Sequence, residues 1–74
     1  MKVPRVTGDK VLRALHHAGL ALVHTRGSHH FLYHAEKDCL VTVSVHSGAT
    51  LAPKTLKSIL SQAQITVEEF VALL

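Results

Sequence analysis

The spacing of apolar residues changes twice along this chain, and each change limits what the chain can fold into. A first apolar stripe has the spacing of a helix and consists of Val11, Leu12, Leu15 and Ala18. Between residues 20 and 45 the apolar residues instead form short runs rich in Val, Leu, Phe and Tyr. Helical spacing then returns at Leu56, Ile59, Leu60 and Ala63. The pattern predicts a helix, a block of strands and a second helix.

Residues with capping or backbone preferences mark the ends of these helices. We expect the first helix to start near Thr7, whose hydroxyl can accept a hydrogen bond from the first turn, and to end at Gly19. Pro53 suits the first turn of the second helix. Thr66 and Glu69 have the spacing of a capping box, which predicts a short third helix. The apolar face of that helix would consist of Val67, Phe70, Val71 and Leu74.

Three strands are expected at residues 20–25, 29–34 and 40–45, and the last two should form a hairpin. Val41, Val43 and Val45 alternate with polar residues, so one face of the sheet should be covered and the other wet. Two helices packed against one face would bury both helical stripes. We therefore predict a single α+β domain over residues 1–74, in which helices in the order α-β-β-β-α cover one face of a three-stranded antiparallel sheet.

Length and composition limit the classes of function. A chain of 74 residues buries only about 60% of its unfolded surface, so we expect no deep cofactor cavity and predict no cofactor. No run approaches the roughly 20 apolar residues of a membrane span. The start "MKVPRVTGDK" lacks the apolar segment of a signal peptide, so a cytoplasmic location without membrane contact is expected. Cys39 is the only cysteine, which excludes an internal disulfide, and we interpret it as a small residue at a strand start.

The basic residues are concentrated in the first half of the chain. Eight Lys and Arg against five Asp and Glu give a formal charge of +3, and Asp9 is the only acidic residue before residue 35. A basic face would attract a polyanion, and the binding would weaken as salt rises. An ordinary solvated surface explains so small a charge equally well.

The histidines differ in their local context. His16 and His17 are neighbours on the first helix and are interpreted as solvent-side residues without a role. A zinc site would need three or four converging ligands, and the sequence shows no such set, so no metal site is predicted. His29 follows Gly27, which allows a positive-φ turn, and Ser28, which can hydrogen-bond locally. An imidazole held there can exchange a proton with a ribose 2′-hydroxyl near neutral pH, although the spacing alone favours an incidental strand histidine.

Three longer segments of the chain bear on whether His29 has a function. They are "PRVTGDKVLRALHHAGL", "RGSHHF" and "VTVSVHSGATLAPKTLKSILSQAQITVEEF". In this order they resemble the HicA family of bacterial and archaeal toxins over nearly all of the chain. The resemblance implies a fold like that of double-stranded-RNA-binding domains, a ribosome-independent mRNA endoribonuclease activity and neutralisation by a HicB-type antitoxin. It assigns the family's catalytic histidine to His29, and the neighbouring His30 stays open as an assistant. Ser44 departs from the family, which often has proline at that position.

On this basis we expect cleavage of RNA through the ribose 2′-hydroxyl, with His29 as general base, general acid or both in turn, and without a metal. The candidate RNA-binding residues are Arg26, Gly27, Ser28, Lys54 and Lys57. The three cations among them are chosen by charge alone, as groups that would stabilise the phosphorane. We expect a monomer when free and a hetero-oligomer with the antitoxin. Two alternatives stay open, a non-catalytic RNA-binding module and a protein-interaction domain.

Overall fold

A computed structural model describes residues 3–74 of the chain. Its elements are α1 (Gly8–His17), β1 (Ala21–Arg26), β2 (His29–His34), β3 (Cys39–Ser44), α2 (Pro53–Ala63) and α3 (Val67–Leu73). The predicted order α-β-β-β-α is confirmed, together with the additional short helix. The bounds of β2 agree with the prediction, and those of β1 and β3 each differ by one residue. The arrangement is an α+β fold that fits the double-stranded-RNA-binding domain.

The three strands form one antiparallel sheet in the order β1-β2-β3, so β2 lies in the centre. Arg26 at the end of β1 pairs with His29 at the start of β2, which leaves a loop of two residues between these strands. The register of β1 and β2 shifts between Leu22 and His24, where β1 carries a bulge. Both connections within the sheet are therefore hairpins, and the first of them is the tighter.

As predicted, the helices cover one face of the sheet, but only over β2 and β3, since every residue of β1 is exposed. Leu32 of β2 and Val41 and Val43 of β3 are buried on this inner face. The buried residues of the helices that cover it are Val11, Ala14 and Leu15 of α1 and Leu56, Ile59, Leu60 and Ala63 of α2. These residues belong to a single hydrophobic core. The helical stripes of the sequence thus find their partner in the alternating valines of β3.

Both long helices begin at the end of the sheet that carries the β1–β2 turn. A Cβ placed on Gly8, the first residue of α1, would lie 2.9 Å from Cγ2 of Val45, the residue that follows β3. The backbone N–H of Val45 in turn donates to the carbonyl of Ser28 in the turn. The opposite end of α2 lies near Lys37 in the β2–β3 loop, whose ammonium group donates to the carbonyl of Gln64 at 3.0 Å. The first turns of α1 and α2 therefore lie at the end of the sheet where β2 starts.

The predicted ends of α1 are confirmed, except for the capping hydrogen bond of Thr7. Gly19 follows α1 with φ of +101°, the conformation that glycine supplies at low cost. Thr7 occupies the N-cap position of α1, but its side chain makes no capping hydrogen bond. Thr7 forms an isolated antiparallel bridge with Thr50, and the N–H of Leu51 donates to the carbonyl of Val6. Backbone pairing with the loop before α2 therefore holds this end of the helix in place of the predicted hydroxyl.

The predicted apolar face of α3 is partly wrong. Phe70 is fully buried and Val67 packs against the core, as expected. Val71 and Leu74 are instead exposed to 37% and 54%, and Leu73 packs against the core in their place. A helix of only seven residues presents one narrow face to its neighbours, and Phe70 occupies its centre.

The capping box at the start of α3 is confirmed. The Thr66 hydroxyl accepts a hydrogen bond from the N–H of Glu69 at 3.1 Å, and the Glu69 carboxylate accepts one from the N–H of Thr66 at 3.0 Å. The hydrogen bond from the Thr66 backbone holds the pKa of Glu69 below its ordinary value of 4.5. Because the folded chain favours the ionised carboxylate, this contribution to stability is present above the ordinary pKa and is lost as the pH falls through the lowered one.

We predict that Glu69→Gln lowers the melting temperature most at neutral pH, where the wild-type carboxylate is ionised. The difference between the two proteins should shrink as the pH falls from about 4.5, the ordinary pKa, through the lowered pKa of the folded protein, because the wild-type carboxyl group then also becomes neutral. Thermal unfolding followed by circular dichroism from pH 7 to pH 3 measures this. Glu68→Gln, which removes a neighbouring charge but no capping contact, serves as the control. A difference that stays constant over the whole pH range would contradict the prediction.

Candidate active site

The loop between β1 and β2 consists of Gly27 and Ser28 alone. Gly27 has φ of +60°, and a Cβ built on it would meet no other atom within 4 Å. The backbone conformation, and not lack of space, therefore calls for glycine here, as is typical of two-residue hairpin loops. The predicted positive-φ turn before His29 is confirmed. Its tip is open to solvent, so another molecule can approach the backbone closely.

The carbonyl group of Ser28 anchors this turn to the rest of the domain. It accepts a hydrogen bond from the N–H of Val45 at 2.8 Å and a second one from Nδ1 of His30 at 3.1 Å. A carbonyl oxygen can only accept, so the proton of the His30 imidazole lies on Nδ1. The sequence suggested that Ser28 can hydrogen-bond locally, and it does so through its carbonyl, whereas within residues 3–74 its hydroxyl makes no hydrogen bond. The main chain of Ser28 holds the turn in its place.

The adjacent histidines of β2 lie on opposite faces of the sheet, because successive side chains of a strand alternate. His30 is half-buried and pairs with Val43, so its ring lies on the inner face with the core. His29 is exposed and pairs with Arg26 on one side and Ser44 on the other. These three residues therefore lie on the outer face, which the helices do not cover.

The neighbourhood of His29 favours an anion. Side chains of directly paired residues on antiparallel strands lie about 5 Å apart at their Cβ atoms, so the side chains of Arg26 and His29 start as neighbours and the guanidinium is within reach of the imidazole. The sequences of β1, β2 and β3 contain no Asp or Glu. A phosphate group at this corner of the sheet would therefore meet a guanidinium, an imidazole and no carboxylate from the strands.

The two lysines among the sequence candidates lie in another layer of the domain. Lys54 and Lys57 are exposed on α2, which packs against the inner face, whereas Arg26 and His29 lie on the outer face. The start of α2 shares the end of the sheet with the turn, and within the described residues no hydrogen bond joins either lysine to the turn. The structure thus brings Arg26, Gly27, Ser28 and His29 together and leaves the lysines at the margin.

Two further aromatic rings lie beside this group and were missed in the sequence. His24 of β1 pairs with Phe31 of β2, and their ring centroids are 5.5 Å apart at an interplanar angle of 36°. Alternation along β2 indicates that Phe31 shares a face with His29. The bulge between Leu22 and His24, which has no clear sequence signal, decides which face His24 joins.

Two exposed histidines and one tyrosine lie away from this corner. His16 and His17 are exposed on α1, as predicted. At the far end of β2, the Tyr33 hydroxyl donates to the Asp38 carboxylate, and this hydrogen bond raises the pKa of Tyr33 above its ordinary value of 10.0. Within residues 3–74, no group of three or more His, Cys, Asp or Glu side chains is placed to hold a metal ion.

The fold and the corner described above define a small α+β domain with the arrangement of a double-stranded-RNA-binding domain and an exposed imidazole at its first hairpin. A sequence model of the family described as the HicA toxin of bacterial toxin-antitoxin systems matches residues 8–65. Since this is more than half of the chain, the protein belongs to the HicA toxin family and is the toxin of a toxin-antitoxin system, which implies an antitoxin partner. A comparison with curated proteins gives no match. None of the helices in residues 3–74 has the length and apolar character needed to cross a membrane.

We predict that His30→Ala loosens the turn, because it removes one of the two hydrogen bonds to the Ser28 carbonyl. A hydrogen bond is worth about 1 kcal/mol, so the amide of Val45 should exchange its proton about fivefold faster. His30→Asn, whose side-chain amide places an N–H near the position of Nδ1, should restore most of the protection. Hydrogen exchange followed by NMR measures both variants. Equal exchange rates at Val45 in the wild type and His30→Ala would show that the imidazole does not hold the turn.

Proposed function

We propose that this toxin is a metal-independent mRNA endoribonuclease in which His29 is the general acid and base. The observation that carries the proposal is this corner of the sheet, where the exposed His29 starts a strand anchored by the hydrogen bond from Val45 to Ser28 and is paired directly with Arg26. Toxins of this family are known in general as ribonucleases, which agrees with the chemistry of the corner.

The reaction divides into proton transfers and a phosphoryl transfer. Neutral His29 accepts the proton of a ribose 2′-hydroxyl, and the 2′-oxygen attacks the adjacent phosphorus. The bond from phosphorus to the 5′-oxygen of the next nucleotide breaks, and the imidazolium donates the proton to this leaving oxygen. The products are a 2′,3′-cyclic phosphate and a 5′-hydroxyl. Each step uses only groups of the protein and the RNA.

Arg26 supplies the electrostatic part of the mechanism. The attack concentrates negative charge on the non-bridging oxygens of the phosphorane, and a guanidinium presents several N–H groups in a fixed plane to such oxygens. Arg26 is paired with His29 across the hairpin, so one phosphate can contact both side chains. Lys54 and Lys57 would contact more distant phosphates, since they lie on the helical layer. A single imidazole that serves both proton transfers implies a slow enzyme, which suffices to stop translation.

A partner must keep such a toxin from its substrate. We assign this role to a HicB-type antitoxin that covers the outer corner of the sheet and presents acidic groups to Arg26, Lys54 and Lys57. The antitoxin would then compete with RNA for the same surface.

A protein-interaction domain without nuclease activity is the second candidate function. The observation that favours it is the edge strand β1, all of whose residues are exposed, including Leu22 at 54% and Val23 at 57%. Exposed apolar residues on an uncovered sheet edge are typical of a site for another chain. The cleavage assay below separates this candidate from the nuclease, and RNA binding without cleavage would indicate the non-catalytic RNA-binding module.

We predict that His29→Ala lowers the rate of RNA cleavage at least about 100-fold, because general acid-base catalysis contributes about 100- to 10,000-fold. The purified protein is incubated with end-labelled single-stranded RNA in excess EDTA, and the products are resolved on a gel. His17→Ala, which removes another exposed histidine from α1, is the matched control and should cleave at the wild-type rate. Wild-type cleavage by His29→Ala, or loss of all cleavage on addition of EDTA, would contradict the mechanism.

We predict that the antitoxin and RNA exclude each other. His29→Ala should still bind the antitoxin tightly, since one imidazole is a small part of an interface of about 1,600 Å². The uncleaved RNA bound to His29→Ala should be released as antitoxin is titrated in, which fluorescence anisotropy of labelled RNA measures. A stable ternary complex of toxin, antitoxin and RNA would show that inhibition does not act at this face.

A further inference from the structure

The outer face of the sheet carries more than the Arg26–His29 pair. The strand register places a row of residues beside it, from His24 on β1 through Phe31 on β2 to Thr42 on β3. His24 is exposed and Phe31 is half-buried, so the ring pair they form is accessible from solvent. The two rings are not part of the hydrophobic core. The core residue of this part of β2 is the neighbouring Leu32, which lies on the opposite face of the sheet.

The His24–Phe31 ring pair lies two residues along the strands from the proposed catalytic pair, Arg26 and His29. Phe31 is two residues beyond His29, which corresponds to about 7 Å along β2. His24 is two residues before Arg26 on β1, so both strands make the same step. A phosphate at Arg26 and His29 would therefore place an adjoining base over the two rings.

We propose that His24 and Phe31 form a stacking platform for a base of single-stranded RNA next to the scissile phosphate. This inference rests on the proposed function, and it makes the two residues positioning residues of that reaction. Proteins hold unpaired bases on aromatic side chains, because every base has a flat face that stacks on a ring. The platform would hold the nucleotide while the ribose 2′-hydroxyl meets the imidazole.

Charge and shape favour RNA over a protein as the occupant. The strands contribute no carboxylate to this face, and Arg26 lies two residues beyond His24 on β1, which suits a chain that alternates flat bases with phosphates. An acidic side chain approaches this face at the opposite end of the strands, where the Tyr33 hydroxyl donates a hydrogen bond to the Asp38 carboxylate. RNA would therefore lie across the end of the sheet with the β1–β2 turn.

The test measures binding separately from cleavage. In the His29→Ala background, the affinity for a labelled single-stranded RNA is compared for the intact platform, Phe31→Leu and His24→Ala. Removal of a base–ring contact should weaken binding about tenfold for Phe31→Leu. Phe31→Tyr keeps the ring and should keep the affinity, and it remains informative if Phe31→Leu fails to fold. His16→Ala, on α1, is the control and should bind like the parent.

The salt dependence of the affinity and a series of abasic RNAs distinguish a stacking contact from an electrostatic contact. Phe31→Leu should leave the slope of log affinity against log salt unchanged, whereas Arg26→Gln should reduce it by about 0.7, the value for one phosphate contact on a single strand. Abasic nucleotides are then placed at each position of the RNA in turn. One position should weaken binding to the intact platform and have no further effect in Phe31→Leu, since the same contact is then already absent.

Two results would overturn the platform. The first is equal RNA affinity of the intact platform and Phe31→Leu, with the antitoxin bound more weakly by Phe31→Leu, which would assign the face to the protein partner. The second is an abasic series in which no position depends on Phe31. If the platform behaves as expected in binding but the wild-type chain cleaves no RNA, the proposed function fails and the base-binding surface stands.

Discussion

The helices cover only one face of the three-stranded sheet, and this constraint decides where chemistry can take place. The side chains of α1 and α2 meet Leu32, Val41 and Val43 on the inner face, where each large apolar side chain contributes about 1.5–3 kcal/mol on full burial. The chain places no comparable layer on the outer face in residues 3–74. Side chains there are positioned by strand register alone and stay open to solvent. The sheet therefore fixes the backbone of His29, and the side chain stays accessible to a substrate.

The β1–β2 turn connects this packing to the proposed site. The carbonyl of Ser28 is bonded to Val45, and Val45 packs so closely on Gly8 that a side chain at residue 8 would need it to move. The start of α1, the end of β3 and the turn are thus one packed unit. The imidazole of His30 adds a second hydrogen bond from the inner face. Sites supported by such contacts keep their geometry better than sites on free loops, which explains how a domain of 74 residues can hold a reactive group in place.

Much of the fold could be predicted from local patterns, since each depends on residues close in sequence. The capping box of Thr66 and Glu69, the left-handed Gly19 and the buried stripe of α2 are of this kind. The predicted cap at Thr7 and the predicted apolar face of α3 were wrong in part, because contacts with other elements of the fold decide them. Thr7 pairs with Thr50, which lies 43 residues further along the chain, and Leu74 loses its place in the core to Leu73. Competing tertiary contacts of this type leave no mark in a local window.

The sequence by itself determined the class of fold, the glycine turn and the membership of the toxin family, because periodicity, backbone preference and motif order are local properties of the chain. The tertiary structure decided which residues share the corner of the sheet. Strand pairing across the hairpin places Arg26 beside His29. Because side chains alternate along a strand, His30 lies on the inner face. Lys54 and Lys57 lie on the helical layer. The β1 bulge brought His24 onto Phe31. These placements depend on register between strands, which is set by the burial of the inner faces of β2 and β3 and not by any single residue.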